Sequence, residues 1–329
     1  MRRVADRNGD VMAKKTIGVD LGGSHVLATI VDDGEIVARA ERAIDDRAFE
    51  SALETVTTAI DEVLGTTKAK HLAAIGLGSP GSIDYDTGTV LYSPNFNWRD
   101  APLGARLRER YDMPVFIGND ARCATLGEYV YGTGRETLDF VLLTLGTGIG
   151  GGVVVGGTLA LGHLGGAGEI GHHQIRATDG FVCNCGKTGC FEAQASGTGL
   201  IRHALALAPS FPRSELLAGK LGSKAIRKAA EAGDPHASAA WTRFVDDLAR
   251  GIANVIAFVN PETIALGGGV AAAGTFMLAT LVPRVDALTT MAPKGRTKIV
   301  VAELGNDAGA IGAATMASRG GLVAADARA

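Results

Sequence analysis

Two stretches of the chain carry the same pattern: KTIGVDLGGSHVLATIVDDGEIVARAER at residues 15–42, and FVLLTLGTGIGGGVVVGGTLAL at residues 140–161. In each stretch an apolar run enters a glycine turn, a second run returns, and another turn leads into a third run. Short apolar runs bounded by glycine turns are typical of β-strands joined as hairpins. The pattern recurs after about 125 residues, which indicates an internal duplication. We therefore expect two related α/β domains.

Periodicity outside these stretches supplies the remaining elements. Apolar residues at helical spacing predict a helix from Phe49 to Leu64, and apolar runs predict strands at residues 72–77, 114–117, 263–266 and 298–302. Further helices are expected at residues 121–131, 197–207, 214–221, 224–232, 241–258 and 308–316. The predicted organisation is a disordered leader (residues 1–13), an N-terminal α/β domain (residues 14–122 plus 307–329) and a C-terminal α/β domain (residues 123–306). Either Met1 or Met12 could be the true start.

Composition and charge exclude several classes of protein. The 329 residues are 46% hydrophobic and 20% charged, as in soluble globular proteins, and the net charge of −3 offers no basic stripe for nucleic acid. The apolar runs are far shorter than the ~20 residues that span a bilayer, and no apolar segment follows the charged N-terminus. We expect a cytoplasmic protein that binds neither nucleic acid nor membrane. The 46 glycines, which follow no collagen-like period, direct attention to the turns.

A cluster of cysteines provides the sharpest chemical signal. Cys183, Cys185 and Cys190 follow His172, and together they offer four nitrogen and sulfur ligands within a short segment, enough for tetrahedral Zn²⁺. Because four protein ligands leave no open position, such a zinc would be structural. His163 and His173 are rival ligands on spacing alone.

The glycine turns predict a phosphate site. The glycines of Asp20-Leu21-Gly22-Gly23-Ser24 allow the backbone N–H groups to approach a phosphate, and Asp20 could hold Mg²⁺ through water. The turn that begins at Gly146 could act with it, and Gly267-Gly268-Gly269 after an apolar strand could border a nucleoside. Asn119-Asp120 closes a strand and opens a helix, so either residue could be an N-cap or a ligand-binding group.

Taken in order, these motifs resemble the ROK family (repressors, open reading frames, kinases). The resemblance covers the chain from about residue 15 to its end and rests on DLGG at 20–23, GSPG at 78–81, NDA at 119–121, LGTGIGGG at 145–152, EIGH at 169–172 and CNCGKTGC at 183–190. It implies an actin/hexokinase-like ATPase fold, with two related α/β domains around a central cleft. Within the family, SPNFNW at 93–98 and Phe191-Glu192 look most like bacterial ATP-dependent glucokinases. The chain departs from the usual family pattern at Ser24, His25 and Arg122.

The resemblance implies transfer of the ATP γ-phosphoryl group to the 6-hydroxyl of glucose. Asp120 is expected to be the general base and Asp20 to help hold Mg²⁺. The groups assigned to ATP are Gly22, Gly23, Ser24, Thr147 and Gly148 at the phosphates and Gly267, Gly268 and Gly269 at the adenosine. By resemblance, sugar hydroxyls are bound by Asn95, Asn119, Asp120, Glu169, His172 and Glu192. With two ring nitrogens, His172 can bind zinc through one and face the sugar with the other.

Other functions remain open at this point. The substrate could be fructose, mannose or an amino sugar, and the donor could be polyphosphate. A sugar-responsive transcriptional repressor is disfavoured, because the residues before Asp20 show no recognition-helix pattern. A homodimer or homotetramer is expected from apolar helices such as residues 241–258.

Overall fold

A computed structural model describes residues 15–67, 72–219 and 221–321. The chain forms two compact units: the first runs to Cys123 and resumes at Gly309, and the second comprises Ala124–Ala308. The predicted leader, residues 1–13, and the two candidate start residues lie outside the described residues. Among the described residues, no helix is long and apolar enough to cross a membrane.

The strands, in chain order, are β1 (Lys15–Leu21), β2 (His25–Asp32), β3 (Glu35–Ala43), β4 (Leu72–Ser79), β5 (Ser82–Asp84), β6 (Thr89–Ser93), β7 (Trp98–Ala101), β8 (Val115–Asn119), β9 (Phe140–Leu145), β10 (Ile149–Val155), β11 (Thr158–Leu159), β12 (Thr263–Gly267) and β13 (Lys298–Val301). The helices are α1 (Phe49–Leu64), α2 (Leu103–Arg110), α3 (Asp120–Tyr131), α4 (Phe191–Ala195), α5 (Gly197–Leu207), α6 (Ser223–Glu231), α7 (Pro235–Val259), α8 (Thr275–Leu288) and α9 (Ala308–Ser318).

The two units contain sheets of the same design, which confirms the predicted duplication. The first sheet has the order β3-β2-β1-β4-β8, and the second has the order β11-β10-β9-β12-β13. In both, the first strand of the repeat pairs antiparallel with the strand that follows its glycine turn and parallel with a later strand. Because neighbouring parallel strands end at the same edge, each sheet gathers the residues after its strands at one edge.

Glycines on β1 and β4 let α9 lie unusually close to the first sheet. A Cβ at Gly18 would lie 2.0 Å from the carbonyl oxygen of Ala310, and one at Gly76 would lie 1.9 Å from that of Ala313. Any larger residue at either strand position would force the helix away from the sheet. These two glycines therefore set how closely α9 packs on the sheet, and the start of α9 lies next to the end of β1.

The second unit is organised around α7, and its start is signalled locally. The Asp234 side chain accepts a hydrogen bond from Ala237 N at 2.7 Å, Pro235 occupies the first turn, and Asn260 ends the helix in a left-handed conformation. The apolar face predicted for this helix is buried in the core of the unit, including Phe244 and Leu248. Burial of each such side chain stabilises the unit by about 1.5–3 kcal/mol. That face therefore cannot serve as the oligomer interface suggested by the sequence.

Several sequence-based expectations differ from the structure, and helices α2 and α4 were not predicted. Residues 214–221 are predicted to be helical, but among the described residues of this range only Glu215–Leu217 form a short 3-10 turn. Helix α8 was not predicted, because Pro283 interrupts its pattern and removes one backbone donor. The small sheet of β5, β6 and β7 was also not predicted, since its strands are only three to five residues long.

Candidate functional site

Two carboxylates lie at one edge of the first sheet. The register pairs Asp20 of β1 with Gly78 of β4, Gly78 with Gly118 of β8, and Ser79 with Asn119. Asp120, the first residue of α3, follows directly. The strand register therefore brings Asp20 and Asp120 to the same edge, although 100 positions separate them in the chain.

Asn119 and Asp120 divide the roles that the sequence left open. The Asn119 side chain accepts a hydrogen bond from Arg122 N through Oδ1 at 3.2 Å and donates one from Nδ2 to Gly81 O at 3.1 Å. It therefore caps α3 and fixes the loop after β4. Asp120 accepts a hydrogen bond from the next backbone N–H, that of Ala121, at 2.8 Å. The capping function thus belongs to Asn119.

The environment of Asp20 makes its charge costly. Burial raises the pKa of Asp20 to about 7, and the negative charge of Asp120 adds to this rise. The start of α9 is pressed against the same carboxyl group, since a Cβ at Gly309 would lie 2.6 Å from Asp20 Cγ. A buried acid beside a second acid favours a bound cation, because the cation compensates both charges. These residues fit the predicted Mg²⁺ site.

One backbone N–H of the first glycine turn is hydrogen-bonded within the turn itself. Gly22 N donates to His25 O at 2.9 Å, which closes the hairpin. This N–H was expected to contact a phosphate, and the structure commits it to the hairpin instead. Gly23 has open space on its side-chain face, with no atom within 4 Å of a Cβ placed there. The Ser24 hydroxyl is hydrogen-bonded to His25 Nδ1 at 2.8 Å.

The second glycine turn is supported by two other segments of its unit. Gly197 N, at the start of α5, donates to Gly146 O at 2.8 Å, and the Thr198 hydroxyl donates to Thr147 O at 2.8 Å. The loop after β12 contacts the same turn, because a Cβ at Gly268 would lie 2.6 Å from Leu145 O. Gly268 also has a φ of +82°, a conformation that favours glycine. The second turn is thus joined to the predicted adenosine segment, Gly267–Gly269.

Sequence reasoning missed Thr198. The signal was present as Ser196-Gly197-Thr198-Gly199, a cap residue followed by glycines at a helix start. The Ser196 side chain does accept a hydrogen bond from Gly199 N at 3.1 Å. The connection to the second turn could not be read from this motif, because the two segments are about 50 residues apart.

The cysteine cluster forms as expected, with His172 as its fourth member. One ligand atom from each of His172, Cys183, Cys185 and Cys190 lies within 4.8 Å of all the others. The Cys183 Sγ to His172 Nδ1 distance is 3.7 Å, and the Cys185 Sγ to Cys190 Sγ distance is 3.6 Å. A tetrahedral zinc with bonds of about 2.0–2.3 Å requires separations of about 3.5–3.8 Å between its ligands. The donor set therefore fits zinc in type and number, and these two separations match the tetrahedral spacing.

The rival histidines do not belong to this cluster. His173 Nδ1 lies 2.6 Å from Ile170 O, and its ring packs against Phe191 at 5.2 Å. His163 lies in a separate 3-10 turn.

Burial raises the pKa of the Cys183 thiol well above its ordinary value. A cation is therefore needed to hold this sulfur as a thiolate.

Of the residues assigned to the sugar, His172 belongs to this cluster, and Glu169 and Glu192 lie beside it. The Nε2 atom of His172 faces Glu169, at 3.8 Å from Oε2, while Nδ1 faces Cys183. Glu192 Oε2 accepts a hydrogen bond from Ile149 N at 3.0 Å, and its Oε1 lies 3.6 Å from Cys183 Sγ. Glu192 therefore connects the cysteine cluster to the second glycine turn.

Asn95, the remaining sugar candidate, belongs to the first unit. It is exposed in the turn between β6 and β7, and its backbone carbonyl accepts a hydrogen bond from Arg47 at 3.2 Å. Trp98 anchors this turn by donating from Nε1 to Arg47 O at 2.9 Å. The exposed Asn95 side chain is thus carried on a turn held by a buried tryptophan.

Comparison with known proteins identifies the family. A model of the ROK family matches residues 16–319. The chain is 39% identical to the glucokinase of Halalkalibacterium halodurans over 305 residues, 90% of this chain and 92% of that protein. It is also 39% identical to the glucokinase of Thermotoga maritima over 310 residues, 92% of this chain and 96% of that protein.

A solved structure agrees with these sequence relationships. A ROK family glucokinase from Streptomyces griseus, in complex with glucose and AMPPNP, is similar with a TM-score of 0.81 and 33% identity. The similarity covers 93% of this chain and 99% of that chain. The fold is therefore the predicted actin/hexokinase-like ATPase fold. The chain belongs to the ROK family.

Proposed function

We propose that this protein is an ATP-dependent glucokinase, which converts glucose and ATP into glucose 6-phosphate and ADP. The observation that carries the proposal is the pair of carboxylates, Asp20 and Asp120, at one edge of the first sheet. Phosphoryl transfer requires a base for the hydroxyl and a cation for the phosphates, and this pair is suited to both roles. The similarity to proteins named glucokinase over nine-tenths of the chain selects glucose among the hexoses.

In the proposed reaction, Asp120 accepts the proton of the 6-hydroxyl while the new O–P bond forms and the bond to ADP breaks. Asp20 helps to hold Mg²⁺, which when bound neutralises charge on the phosphates. The backbone of Gly23, Thr147 and Gly148 binds the phosphates, with Gly22 and Ser24 shaping the first turn. Gly267–Gly269 border the adenosine.

The sugar hydroxyls are assigned to residues that are acidic or carry polar side chains. Glu169 and Glu192 accept short charge-assisted hydrogen bonds, and His172 Nε2 contributes a further contact. Asn95, Asn119 and Asp120 complete the set. The support for His172 is geometric, because its Nδ1 faces the cysteines while its Nε2 faces Glu169.

The bound metal in this proposal is one structural Zn²⁺ per chain, held by His172, Cys183, Cys185 and Cys190. Metal analysis of the purified protein should give close to one equivalent. Cys185→Ser should lose zinc together with stability and glucose affinity, because metal binding and folding of the loop share one free energy. Cys123→Ser is the matched control: Cys123 is buried outside the cluster, and its variant should retain zinc. A metal-free protein with full activity would contradict the zinc assignment.

The cellular setting and the assembly are also proposals. A cytoplasmic location agrees with free thiols as metal ligands, since reducing conditions preserve them. A homodimer or homotetramer is still proposed, although its interface cannot be the buried face of α7. Light scattering on the purified protein measures the number of chains directly.

A panel of sugars and phosphoryl donors tests the proposed function. Glucose with ATP and Mg²⁺ should give the highest kcat/KM, above fructose, mannose, glucosamine and N-acetylmannosamine. Polyphosphate should be a poor donor. Turnover of another hexose with little activity on glucose would change the substrate, whereas glucose binding without turnover would favour a sugar-responsive regulator.

A further inference from the structure

The middle of α7 carries a buried carboxylate that the proposed reaction does not use. The Asp247 side chain has no exposed surface, yet it is surrounded by three cationic or protonatable groups. Arg176 Nε donates to it at 2.9 Å, Arg250 at 2.7 Å, and His203 Nε2 lies 3.2 Å away. Burial alone would raise the pKa of Asp247, but the hydrogen bonds from His203 and Arg176 outweigh it and hold this pKa below its ordinary value. Asp247 is therefore ionised.

Arg176 connects this carboxylate to the cysteine cluster. Its backbone N–H donates to Gly189 O at 3.2 Å, and Gly189 immediately precedes Cys190. The fit is tight, because a Cβ at Gly189 would lie 1.8 Å from Arg176 O. Arg176 also lies four positions after His172. When Asp247 holds the Arg176 side chain, it therefore fixes the backbone that follows His172 and, through Gly189, the backbone that precedes Cys190.

His203 connects the same carboxylate to α4, the helix that carries Glu192. Its Nε2 lies 3.1 Å from Gln194 O as well as 3.2 Å from Asp247. The amide of Gln194 in turn donates to Phe181 O at 3.3 Å, and the Phe181 ring packs against His203 at 5.0 Å. The position of α4 relative to the segment before Cys183 is thus set by this contact.

We infer that Asp247 is a positioning residue for the sugar site: through Arg176 and His203 it aligns the segment bearing His172 with the helix bearing Glu192. The inference rests on the proposed function, in which these two side chains bind glucose. A buried ion cluster is poor at adding stability, because desolvation of its charges offsets their attraction. The cluster instead fixes the relative orientation of two segments, because one carboxylate holds a side chain from each of them.

The neighbouring residue on the same helix offers a matched control. Asp246 also pairs with an arginine, because Arg284 Nε donates a hydrogen bond to it at 2.7 Å. This arginine belongs to α8, so the ion pair involves neither the cysteine segment nor α4. Asp247→Asn should raise the glucose KM at least tenfold, with kcat within threefold and ATP KM within twofold of wild type. Asp246→Asn should leave all three constants within twofold.

A second pair of variants separates positioning from general loss of folding. His203→Gln retains a side-chain N–H for Asp247 and Gln194 O, so its glucose KM should stay within threefold of wild type. His203→Leu lacks this donor and should raise the glucose KM about tenfold. An Asp247→Asn or His203→Leu protein that melts at a lower temperature but keeps its glucose KM would overturn the inference and leave the cluster a purely structural role.

Hydrogen exchange makes the result independent of catalysis. In Asp247→Asn, the amides of Ile175 and Gly189, which donate to Gly189 O and Phe181 O, should exchange at least tenfold faster than in Asp246→Asn. Unchanged exchange in both variants would overturn the positioning role. Faster exchange with no glucose turnover by the wild-type protein would instead refute the proposed function and leave the alignment intact.

Discussion

The β1–β2 turn and the β9–β10 turn occupy equivalent places in two sheets of the same strand order, yet they carry different chemistry. Asp20 in β1 pairs with Gly78 of the neighbouring parallel strand, and Thr144 in β9 pairs with Gly267 in the same way. A carboxylate with a raised pKa therefore occupies the position that in the other sheet holds a neutral hydroxyl. The two sheets therefore share the backbone turn but differ in the charge of the side chain at this position.

The groups that contact the two turns also differ. The first lies near Asp120 and the start of α9, a setting suited to proton transfer and cation binding. The second is joined to α5, to Gly268 and, through Ile149 N, to Glu192. The comparison indicates that variants of the first region should alter kcat or titration, whereas variants of the second should alter substrate KM.

The largest expected effect is on the first region. Asp120→Asn should lower kcat by at least ~10², because the amide cannot accept the hydroxyl proton in the transition state. The fold should survive, since Asn119, not Asp120, caps α3. Steady-state kinetics with a thermal melt check both points. Activity within tenfold of wild type at an unchanged melting temperature would remove Asp120 from catalysis.

Removing a carboxylate charge in the second unit, at Glu169, should weaken glucose binding. Glu169→Gln keeps the shape of the side chain but loses its charge, so the glucose KM should rise about 10- to 100-fold, about 1.4–2.7 kcal/mol. ATP KM and zinc content should stay at wild-type values, as measured by kinetics and metal analysis. If the variant lost zinc but kept its glucose KM, Glu169 would support the metal and not the sugar.

A smaller effect should appear in the pH dependence of stability. Because the folded pKa of Asp20 is about 7, ionising this group costs folding free energy that grows as pH rises from about 4 to 7 and then stays constant. Asp20→Asn removes the cost. With Mg²⁺ chelated, the variant should therefore have a larger free energy of unfolding than the wild type at pH 8, measured by denaturant titration, and the difference should be smaller at pH 5.

A difference between the proteins that does not depend on pH would contradict the raised pKa of Asp20. Glu41→Gln is a suitable control, because Glu41 is exposed on β3 and shows no such burial. Adding Mg²⁺ should stabilise the wild type more than Asp20→Asn, since the cation binds the ionised form.

The smallest expected effect concerns the link between the second turn and Glu192. A Cβ at Gly148 would lie 2.2 Å from Glu192 Oε2, so Gly148→Ala should displace this carboxylate from Ile149 N and raise the glucose KM about fivefold, about 1 kcal/mol. At Gly219, no atom lies within 4 Å of an added Cβ, and Gly219→Ala should leave the glucose KM within twofold. Equal KM values for both variants would show that Glu192 does not depend on the turn.

Local patterns predicted much of the fold but not its interruptions. Strands β1 and β9 and helix α5 lie where the apolar runs and periodicity placed them, because each pattern is complete within its own segment. Helix α8 was hidden by Pro283, whose cost is compensated by packing of α8 on α7 that the sequence does not display. Helix α7 begins at Pro235, six residues before the predicted start, with Asp234 as its cap.

The candidate site divides in the same way. The cysteine spacing predicted a His/Cys cluster with the donor set of a metal site, because His172 and the three cysteines lie within one segment of 19 residues. The choice of His172 over His173 required the structure, since adjacent residues differ only in the direction of their side chains. The commitment of the Gly22 N–H to the hairpin likewise depends on hydrogen-bond geometry.

By itself, the sequence determined the duplicated strand–turn–strand pattern, the glycine turns and the clustering of the three cysteines. These features are local, so residue type and spacing are sufficient to specify them. Only the tertiary structure decided that Asp20 meets Asp120 and Gly309, that Glu192 joins the second turn, and that Asp247 holds Arg176 and His203. The physical reason is that charge, desolvation and alignment depend on groups from distant segments, and folding alone brings those groups within a few ångströms of one another.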